Sequence, residues 1–266
     1  MNNLDVLFVS PGGSKLVYQG LANKISAIEP PTWALLLAQS CRSVDFKVAI
    51  LDMNAENLTL EEGVERIRQY NPRLICFVVY GQNVNSGTVS MTGATIFSNF
   101  IKESGVTAPI AYIGSYVQAL PKKALLEELS IDIAFMNEGV YAIRNLLKTE
   151  IDLSALDHVN GIAWRKNGEV IFNEPEIVVP TERMDIDLPG YAWDLLPFEN
   201  RPLDLYRSPL WHAEYDENKR SPYASLQTSL GCRFGCSFCM INTINRNDNA
   251  EIGVSSICWS RNAIRV

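Results

Sequence analysis

Residues 74–80 read Leu-Ile-Cys-Phe-Val-Val-Tyr, and residues 81–88 continue Gly-Gln-Asn-Val-Asn-Ser-Gly-Thr. A short apolar run that ends in turn residues is typical of a strand buried on both faces of a parallel sheet. The run is far shorter than the roughly 20 apolar residues that a membrane-spanning helix requires. We therefore interpret residues 74–80 as a central strand of an α/β domain and residues 81–88 as the loop at its carboxyl end.

Similar apolar runs lie on either side of this strand, and amphipathic patterns separate them. The order βαβαβαβαβα predicts the fold class α/β, as a flavodoxin-like, doubly wound parallel sheet. Such sheets bind ligands at the carboxyl ends of their strands, where this chain has small and polar residues, although ordinary turns need the same residue types. The predicted strands are residues 5–9, 47–51, 74–80, 110–114 and 133–136.

The predicted helices have recognisable ends. Thr32 is expected to cap the first helix, and Thr59 and Glu62 form a capping box at the start of the second. Residues 71–72, Asn-Pro, end that second helix. The apolar face of the first helix is predicted to contain Trp33, Leu36, Leu37, Ser40, Cys41 and Val44. The later helices are predicted at residues 88–103, 121–129 and 140–147.

Residues 151–224 are predicted to contain a hairpin and a linker. Residues 160–173 hold two short apolar runs around Asn167 and Gly168, and Asn-Gly is a strong hairpin signal. Many of the chain's 13 prolines lie between residues 175 and 224, which argues against regular elements there. We expect this proline-rich segment to wrap over the domain, because its apolar side chains need cover: Tyr191, Trp193, Leu195, Leu196, Phe198, Tyr206 and Trp211.

A cysteine motif follows the linker. Residues 225–230 read as a strand, and three cysteines with the spacing C-x3-C-x2-C come directly after it: Cys232, Cys236 and Cys239. Three thiolates on one short loop can ligate an iron–sulfur cluster. The alternative is a tetrahedral zinc site with Cys258 as the fourth ligand. Two further cysteines lie on apolar faces and are expected in the core: Cys41 and Cys76.

This motif resembles the cluster-binding loop of the radical S-adenosylmethionine enzymes, with a strand and a glycine before the cysteines and Phe238 before the last one. The resemblance implies that the three cysteines hold a 4Fe-4S cluster and that its open iron binds S-adenosyl-L-methionine. Phe238 would then lie near the adenine of that cofactor. The implied partners are a small-molecule substrate and a reducing electron donor of flavodoxin or ferredoxin type.

The α/β domain is similar to the cobalamin-binding domain of one branch of that family. The likeness lies in residues 28–31 (Ile-Glu-Pro-Pro), 51–52 (Leu-Asp), 138–139 (Glu-Gly) and 222–224 (Pro-Tyr-Ala). It implies cobalamin as a further cofactor, bound by the strand-end loops. The implied cofactor-binding residues are Pro11, Gly12, Gln82, Ser86, Thr88, Gly114, Ser115, Glu138 and Gly139.

The loop after the first strand departs from one cobalamin-binding pattern. Mutases and methionine synthase offer a cobalt-binding histidine from an Asp-x-His-x-x-Gly loop, whereas residues 11–16 contain no histidine. The two histidines of the chain, His158 and His212, lie outside the predicted sheet. This pattern fits a cobalamin held without a histidine ligand, and equally a sheet that binds no cobalamin.

The resemblance implies the N-terminal part of a cobalamin-dependent radical enzyme that methylates an unactivated carbon, with cyclisation or rearrangement as the nearest competing reaction. The predicted domains are residues 1–150, 151–224 and 225–266. The family's barrel consists of βα units of about 30 residues each, and the stretch from Cys239 to Val266 is too short for it. We therefore expect a truncated product or a natural short form. The alternative function is a non-catalytic cobalamin- or nucleotide-binding module with a structural cysteine metal site.

The composition and the charge of the chain indicate which class of protein it is and which partners it is not expected to bind. The chain has 266 residues, of which 47% are hydrophobic and 20% charged, which is typical of a globular protein. Its net charge of −7 argues against nucleic acid or an anionic membrane as a partner. The N-terminus has no basic, apolar signal segment, so we expect a cytoplasmic protein.

Overall fold

The structure is a computed structural model that describes residues 3–12, 27–80, 87–198, 206–207 and 223–227. It describes the backbone of residues 87–89 but not their side chains. The predicted cysteine motif and the tail after it lie outside the described residues.

The domain is built on one sheet of seven strands in the order β2-β1-β3-β4-β5-β6-β7. The first five strands are parallel, so the prediction of a flavodoxin-like parallel sheet is confirmed. The last two strands add antiparallel pairs at one edge. The strands are β1 Val6–Ser10, β2 Val48–Asp52, β3 Leu74–Val79, β4 Ile110–Gly114, β5 Ile133–Phe135, β6 Ile162–Lys166 and β7 Glu169–Phe172.

Helices cover both faces of the sheet, because the parallel strands are joined by crossover connections. The predicted start of the second helix is confirmed: Thr59 and Glu62 form both hydrogen bonds of a capping box, and Asn71 ends the helix in the left-handed conformation. The helices are α1 Thr32–Arg42, α2 Leu60–Tyr70, α3 Gly87–Glu103, α4 Ser115–Ala119, α5 Pro121–Glu127, α6 Val140–Leu147 and α7 Met184–Asp187.

Two predictions about the first helix are wrong. Thr32 is its first helical residue rather than its cap, because the carbonyl of Pro31 already accepts the first helical hydrogen bond, from the Leu35 amide. Val44 does not belong to the apolar face, since α1 ends at Arg42 and the chain turns away; the Val44 side chain is 42% exposed. The rest of the predicted face is buried, including Cys41.

The predicted hairpin is confirmed, and it extends the sheet of the α/β domain. Strand β6 pairs with β5, and β7 pairs with β6. Asn167 and Gly168 both have positive φ angles, 52° and 85°, which suits a tight turn between antiparallel strands. The sheet therefore continues past residue 150, while the division of the chain into three domains stays a prediction.

The proline-rich segment after the hairpin wraps over α1, as its apolar side chains predict. We call it the wrapped segment. The Ala192 amide donates to the carbonyl of Leu35 at 3.3 Å, and the rings of Tyr191 and Trp193 stack at 5.2 Å. This cover explains why nearly all of α1 is buried, although only one of its faces is turned to the sheet. Of the predicted covering residues, Trp211 lies outside the described residues, and the others pack on the core or within it: Tyr191, Trp193, Leu195, Leu196, Phe198 and Tyr206.

Candidate functional site

The carboxyl ends of the parallel strands meet at one edge of the sheet, which we call the carboxyl edge. Ser10 and Asp52, the last residues of β1 and β2, are register partners there. Gly114 ends β4 opposite Val79 of β3. In a doubly wound sheet this edge is where a ligand binds.

Asp52 is a buried carboxylate that fixes the loop after β2. Its Oδ1 accepts from the backbone amides of Asn54 and Ala55 at 3.2 and 3.1 Å, and its Oδ2 accepts from the hydroxyl of Tyr206 at 3.0 Å. Burial raises the pKa of Asp52 to about 6, against the opposing effect of these hydrogen bonds. Asp52 therefore attaches the wrapped segment to the end of β2.

Glu138 is a second buried carboxyl group, after β5. Its side chain accepts from the Val179 amide, and its backbone carbonyl accepts from the indole of Trp33 at 3.2 Å. Burial raises the pKa of Glu138 to about 7, although the hydrogen bond from Val179 lowers it. This carboxyl group can therefore gain or lose a proton near neutral pH.

A hydrogen-bonded network joins the ends of β3, β4 and β5. The Nε2 of Gln118 donates to the hydroxyl of Tyr80 at 2.6 Å and also to the backbone carbonyl of Asn137. The Asn137 side chain accepts from the Gly139 amide at 2.9 Å and donates to the carbonyl of Glu176 at 2.7 Å. These bonds fix the loop between β5 and α6 against α4 and the wrapped segment.

Two buried polar atoms at this edge have no hydrogen-bond partner within the described part of the chain. They are the Oγ of Ser115 and the Oε1 of Gln118, and both residues belong to α4. Buried polar atoms normally have a partner, and an unpaired one points to an absent water or ligand. The carboxyl edge therefore retains hydrogen-bonding capacity on a buried helix.

Packing within the domain requires glycine at some positions of this edge and not at others. A Cβ at Gly114 would lie 2.2 Å from the carbonyl oxygen of Val79, so close strand packing requires glycine. Gly139 has a φ of 81°, and a Cβ there would lie 2.3 Å from the Cδ1 of Ile113. A Cβ at Gly12 would make only an ordinary contact of 3.5 Å with Met53. Packing within the domain therefore explains Gly114 and Gly139, whereas it does not require a glycine at position 12.

The structure brings together six of the residues predicted to bind a cofactor: Pro11, Gly12, Gly114, Ser115, Glu138 and Gly139. Thr88 lies in the first turn of α3, and its side chain is not described. The other predicted site residues lie outside the described residues: Gln82, Ser86, Cys232, Cys236, Phe238 and Cys239. Sequence reasoning did not single out Tyr80 or Gln118 as site residues, because Tyr80 fits a strand and Gln118 lies within a predicted connection.

No three His, Cys, Asp or Glu side chains among the described residues come together in a way that could hold a metal ion. None of the helices described is both long enough and apolar enough to cross a membrane.

The strand order and the polar carboxyl edge define a doubly wound α/β domain, a fold whose ligands bind beyond the strand ends. Residues 18–147 match the B12 binding domain family. The match covers just under half of the chain, and it confirms the resemblance of this part of the sequence to cobalamin-binding proteins.

Several curated proteins are similar over most of this chain. One is an uncharacterized methyltransferase of Pyrococcus horikoshii, 25% identical over 79% of this chain and 40% of the relative. Another is the cytidylyl-2-hydroxyethylphosphonate methyltransferase of Streptomyces wedmorensis, 26% identical over 73% and 40%. A third is the anaerobic magnesium-protoporphyrin IX monomethyl ester cyclase of Synechocystis, 23% identical over 79% and 38%. The chain thus spans about two fifths of the length of these relatives.

A solved structure shares the fold. The cobalamin-dependent S-adenosylmethionine radical enzyme OxsB, with aqua-cobalamin and S-adenosylmethionine bound, aligns with a TM-score of 0.54 and 19% identity. The alignment covers 73% of this chain and 24% of that chain. At this identity the likeness establishes a common architecture.

Proposed function

We propose that this chain binds cobalamin at the carboxyl edge of its sheet and is part of a radical S-adenosylmethionine enzyme. The observation that carries the proposal is that the B12-binding match over residues 18–147 includes β2 to β5 and α4, where two buried polar atoms at the carboxyl edge have no hydrogen-bond partner among the described residues. The similar proteins are named as two methyltransferases and a cyclase, which supports methyl transfer or cyclisation as the reaction.

The residues of the edge suit the chemistry of a corrin. The corrin ring carries primary amide side chains, which both donate and accept hydrogen bonds. The edge offers hydroxyl groups at Tyr80 and Ser115 and, at Gln118, a carbonyl oxygen that has no donor among the described residues. The first histidine of the chain is His158, so the sheet from β1 to β5 has no histidine to offer to cobalt.

The three motif cysteines, Cys232, Cys236 and Cys239, would hold the 4Fe-4S cluster, and Phe238 would contact the adenine of S-adenosyl-L-methionine. When bound, the cofactors supply a radical that removes hydrogen from an unreactive carbon of a small molecule and the methyl group that replaces it. An electron donor of flavodoxin or ferredoxin type would reduce the cluster. Methylation is proposed ahead of rearrangement because two of the three relatives are named methyltransferases.

Metal analysis of the whole chain tests this function. The protein is purified without oxygen, incubated with iron, sulfide and hydroxocobalamin, desalted and analysed for iron, cobalt and zinc. We expect about four irons per chain, as a 4Fe-4S cluster requires, and one cobalt per chain. Replacing Cys232, Cys236 and Cys239 together by Ala should remove the iron and leave the cobalt.

The matched control is Cys258→Ala, which should change neither metal. Zinc near one per chain that disappears in Cys258→Ala, with no cobalt bound, would contradict the proposal. That result would favour the non-catalytic module with a structural cysteine site.

A further inference from the structure

The side chains of Tyr80 and Gln118 are hydrogen-bonded to each other at the carboxyl ends of β3 and β4. Gln118 lies one helical turn after Ser115 on α4, so the two side chains are neighbours on one helix face. The hydroxyl of Tyr80 lies 2.6 Å from the Nε2 of Gln118. Ser115 is fully buried and Gln118 is 4% exposed, whereas Tyr80 is only partly buried.

The orientation of the Gln118 amide follows from its partners. A backbone carbonyl can only accept a hydrogen bond, so the atom that contacts the carbonyl of Asn137 must be the NH2 group. The Oε1 is therefore an acceptor, and it has no donor among the described residues. Its desolvation is costly until a donor reaches it.

Tyr80 supplies the complementary group. Its hydroxyl oxygen accepts from Gln118, and the described residues offer no acceptor for its own proton. Burial raises the pKa of Tyr80 above its ordinary value, with the charge of nearby Glu138 as a further cause, so the hydroxyl keeps its proton at neutral pH. One donor and one acceptor thus stand side by side at the edge.

We propose that Tyr80 and Gln118 form a subsite for a primary amide, with the Tyr80 hydroxyl donating to its oxygen and the Gln118 Oε1 accepting from its nitrogen. The inference rests on the proposed function, and the amide is then one of the corrin side chains of cobalamin. A carboxylate would bind poorly, because it has no donor to offer to the Oε1 of Gln118.

The experiment compares cobalamin with its monocarboxylic acid derivatives, in each of which one corrin amide has become a carboxylate. Binding is measured by absorbance titration of the whole chain. We expect one derivative to bind about tenfold more weakly than cobalamin, since the change removes a donor and leaves a buried acceptor unpaired. This part of the test needs no variant.

Tyr80→Phe supplies the second measurement. The substitution removes the hydroxyl and keeps the ring, which contacts Trp33 edge-to-face at 5.8 Å. We expect cobalamin to bind this variant about tenfold more weakly, while the discrimination against the acid derivative persists because the Gln118 acceptor is retained. The matched control is Tyr112→Phe, which removes a buried hydroxyl on the other side of the sheet, where it donates to Ser98 at 2.7 Å.

The outcomes separate the two proposals. If wild type binds cobalamin and every acid derivative equally well, or if Tyr80→Phe binds cobalamin as tightly as Tyr112→Phe does, the amide subsite is wrong and only a buried water is left to pair with Gln118, while cobalamin binding stands. If wild type binds no cobalamin, the proposed function itself fails and the subsite fails with it.

Discussion

Glu138 brings a proton-binding group into the buried carboxyl edge, and its raised pKa links the stability of the domain to pH. The group's pKa rises from 4.5 to about 7 on folding, because burial disfavours the charged form. Below about pH 4.5 the carboxyl is protonated in both the folded and the unfolded chain. Between the two values only the folded chain keeps the proton, so the stability that this group contributes is lost as the pH rises through 7.

Glu138→Gln tests this residue, since glutamine keeps an oxygen that can accept from the Val179 amide and cannot ionise. We expect the free energy of unfolding of the variant to rise relative to wild type by an amount on the order of 3 kcal/mol between acidic pH and pH 8. Urea unfolding at several pH values measures it. The control is Asp52→Asn, whose difference from wild type should level off near pH 6 because the Asp52 pKa is about 6. Wild type and Glu138→Gln curves that stay parallel at all pH values would contradict the prediction.

Some site residues could be predicted from the sequence, and others could not. Pro11, Gly12 and Ser115 were predictable because they follow apolar strands, and strand order alone brings them to one edge. Gln118 was not predictable, since its partner Tyr80 lies 38 positions away and no periodic pattern connects the two. Which polar atoms are left unpaired depends on packing in three dimensions. A pattern along the chain therefore cannot predict which atoms these are.

A buried ion pair between helices α6 and α7 holds the wrapped segment against the domain. Arg144 of α6 donates to Asp187 Oδ1 at 2.9 Å, to the Asp187 carbonyl at 2.9 Å and to the carbonyl of Ser40 in α1 at 2.8 Å. The two side chains are only 7% and 6% exposed. Burial opposes the charge of Asp187, but hydrogen bonds from Arg183, Tyr141 and Arg144 outweigh it and lower the Asp187 pKa to about 2.

Arg144→Met should therefore lower the free energy of unfolding by about 3–5 kcal/mol, because it leaves a buried carboxylate with fewer partners. Hydrogen exchange should also become faster in residues 179–198. Arg42→Met is the matched control: Arg42 pairs with Asp194 at 2.6 Å, but the two side chains are 37% and 65% exposed. Breaking that exposed pair should cost less than about 1 kcal/mol. Equal losses in the two variants, measured by urea unfolding, would show that the buried pair is not what holds the segment.

The elements themselves were largely predictable. The five parallel strands, the capping box of α2 and the Asn-Gly hairpin follow from local signals that tertiary packing does not override. The start of α1 was not predictable from Thr32 alone, since the carbonyl of Pro31 takes the role of the cap. The role of Arg144 was also hidden, because a basic residue on a helix normally faces solvent and its partner at Asp187 lies 43 positions away.

Tyr191 connects the domain to the residues that lead to the cysteine motif. The hydroxyl of Tyr191 donates to the carbonyl of Gln227 at 3.0 Å and accepts from the Gln227 amide at 2.8 Å. Residues 223–227 alternate between partly buried and exposed side chains, but residues 225–227 form no strand, so this part of the strand predicted over 225–230 is wrong, and residues 228–230 lie outside the described residues. Gln227 lies five residues before Cys232. Tyr191 is therefore positioned to fix the chain that leads to the proposed cluster against the proposed cobalamin domain.

Tyr191→Phe should release that connection without disturbing the sheet, because the phenyl ring can still stack on Trp193. The Gln227 amide loses its acceptor, so we expect its hydrogen exchange to become about tenfold faster, the effect of losing one hydrogen bond. Tyr206→Phe serves as the control, since its hydroxyl binds Asp52 at the other end of the edge and its removal should leave exchange at Gln227 unchanged. If Gln227 exchanged at the same rate in Tyr191→Phe and wild type, the approach to the motif would be held by other contacts. Faster exchange confined to residues 223–227 would instead identify Tyr191 as the residue that sets the placement of one cofactor region against the other.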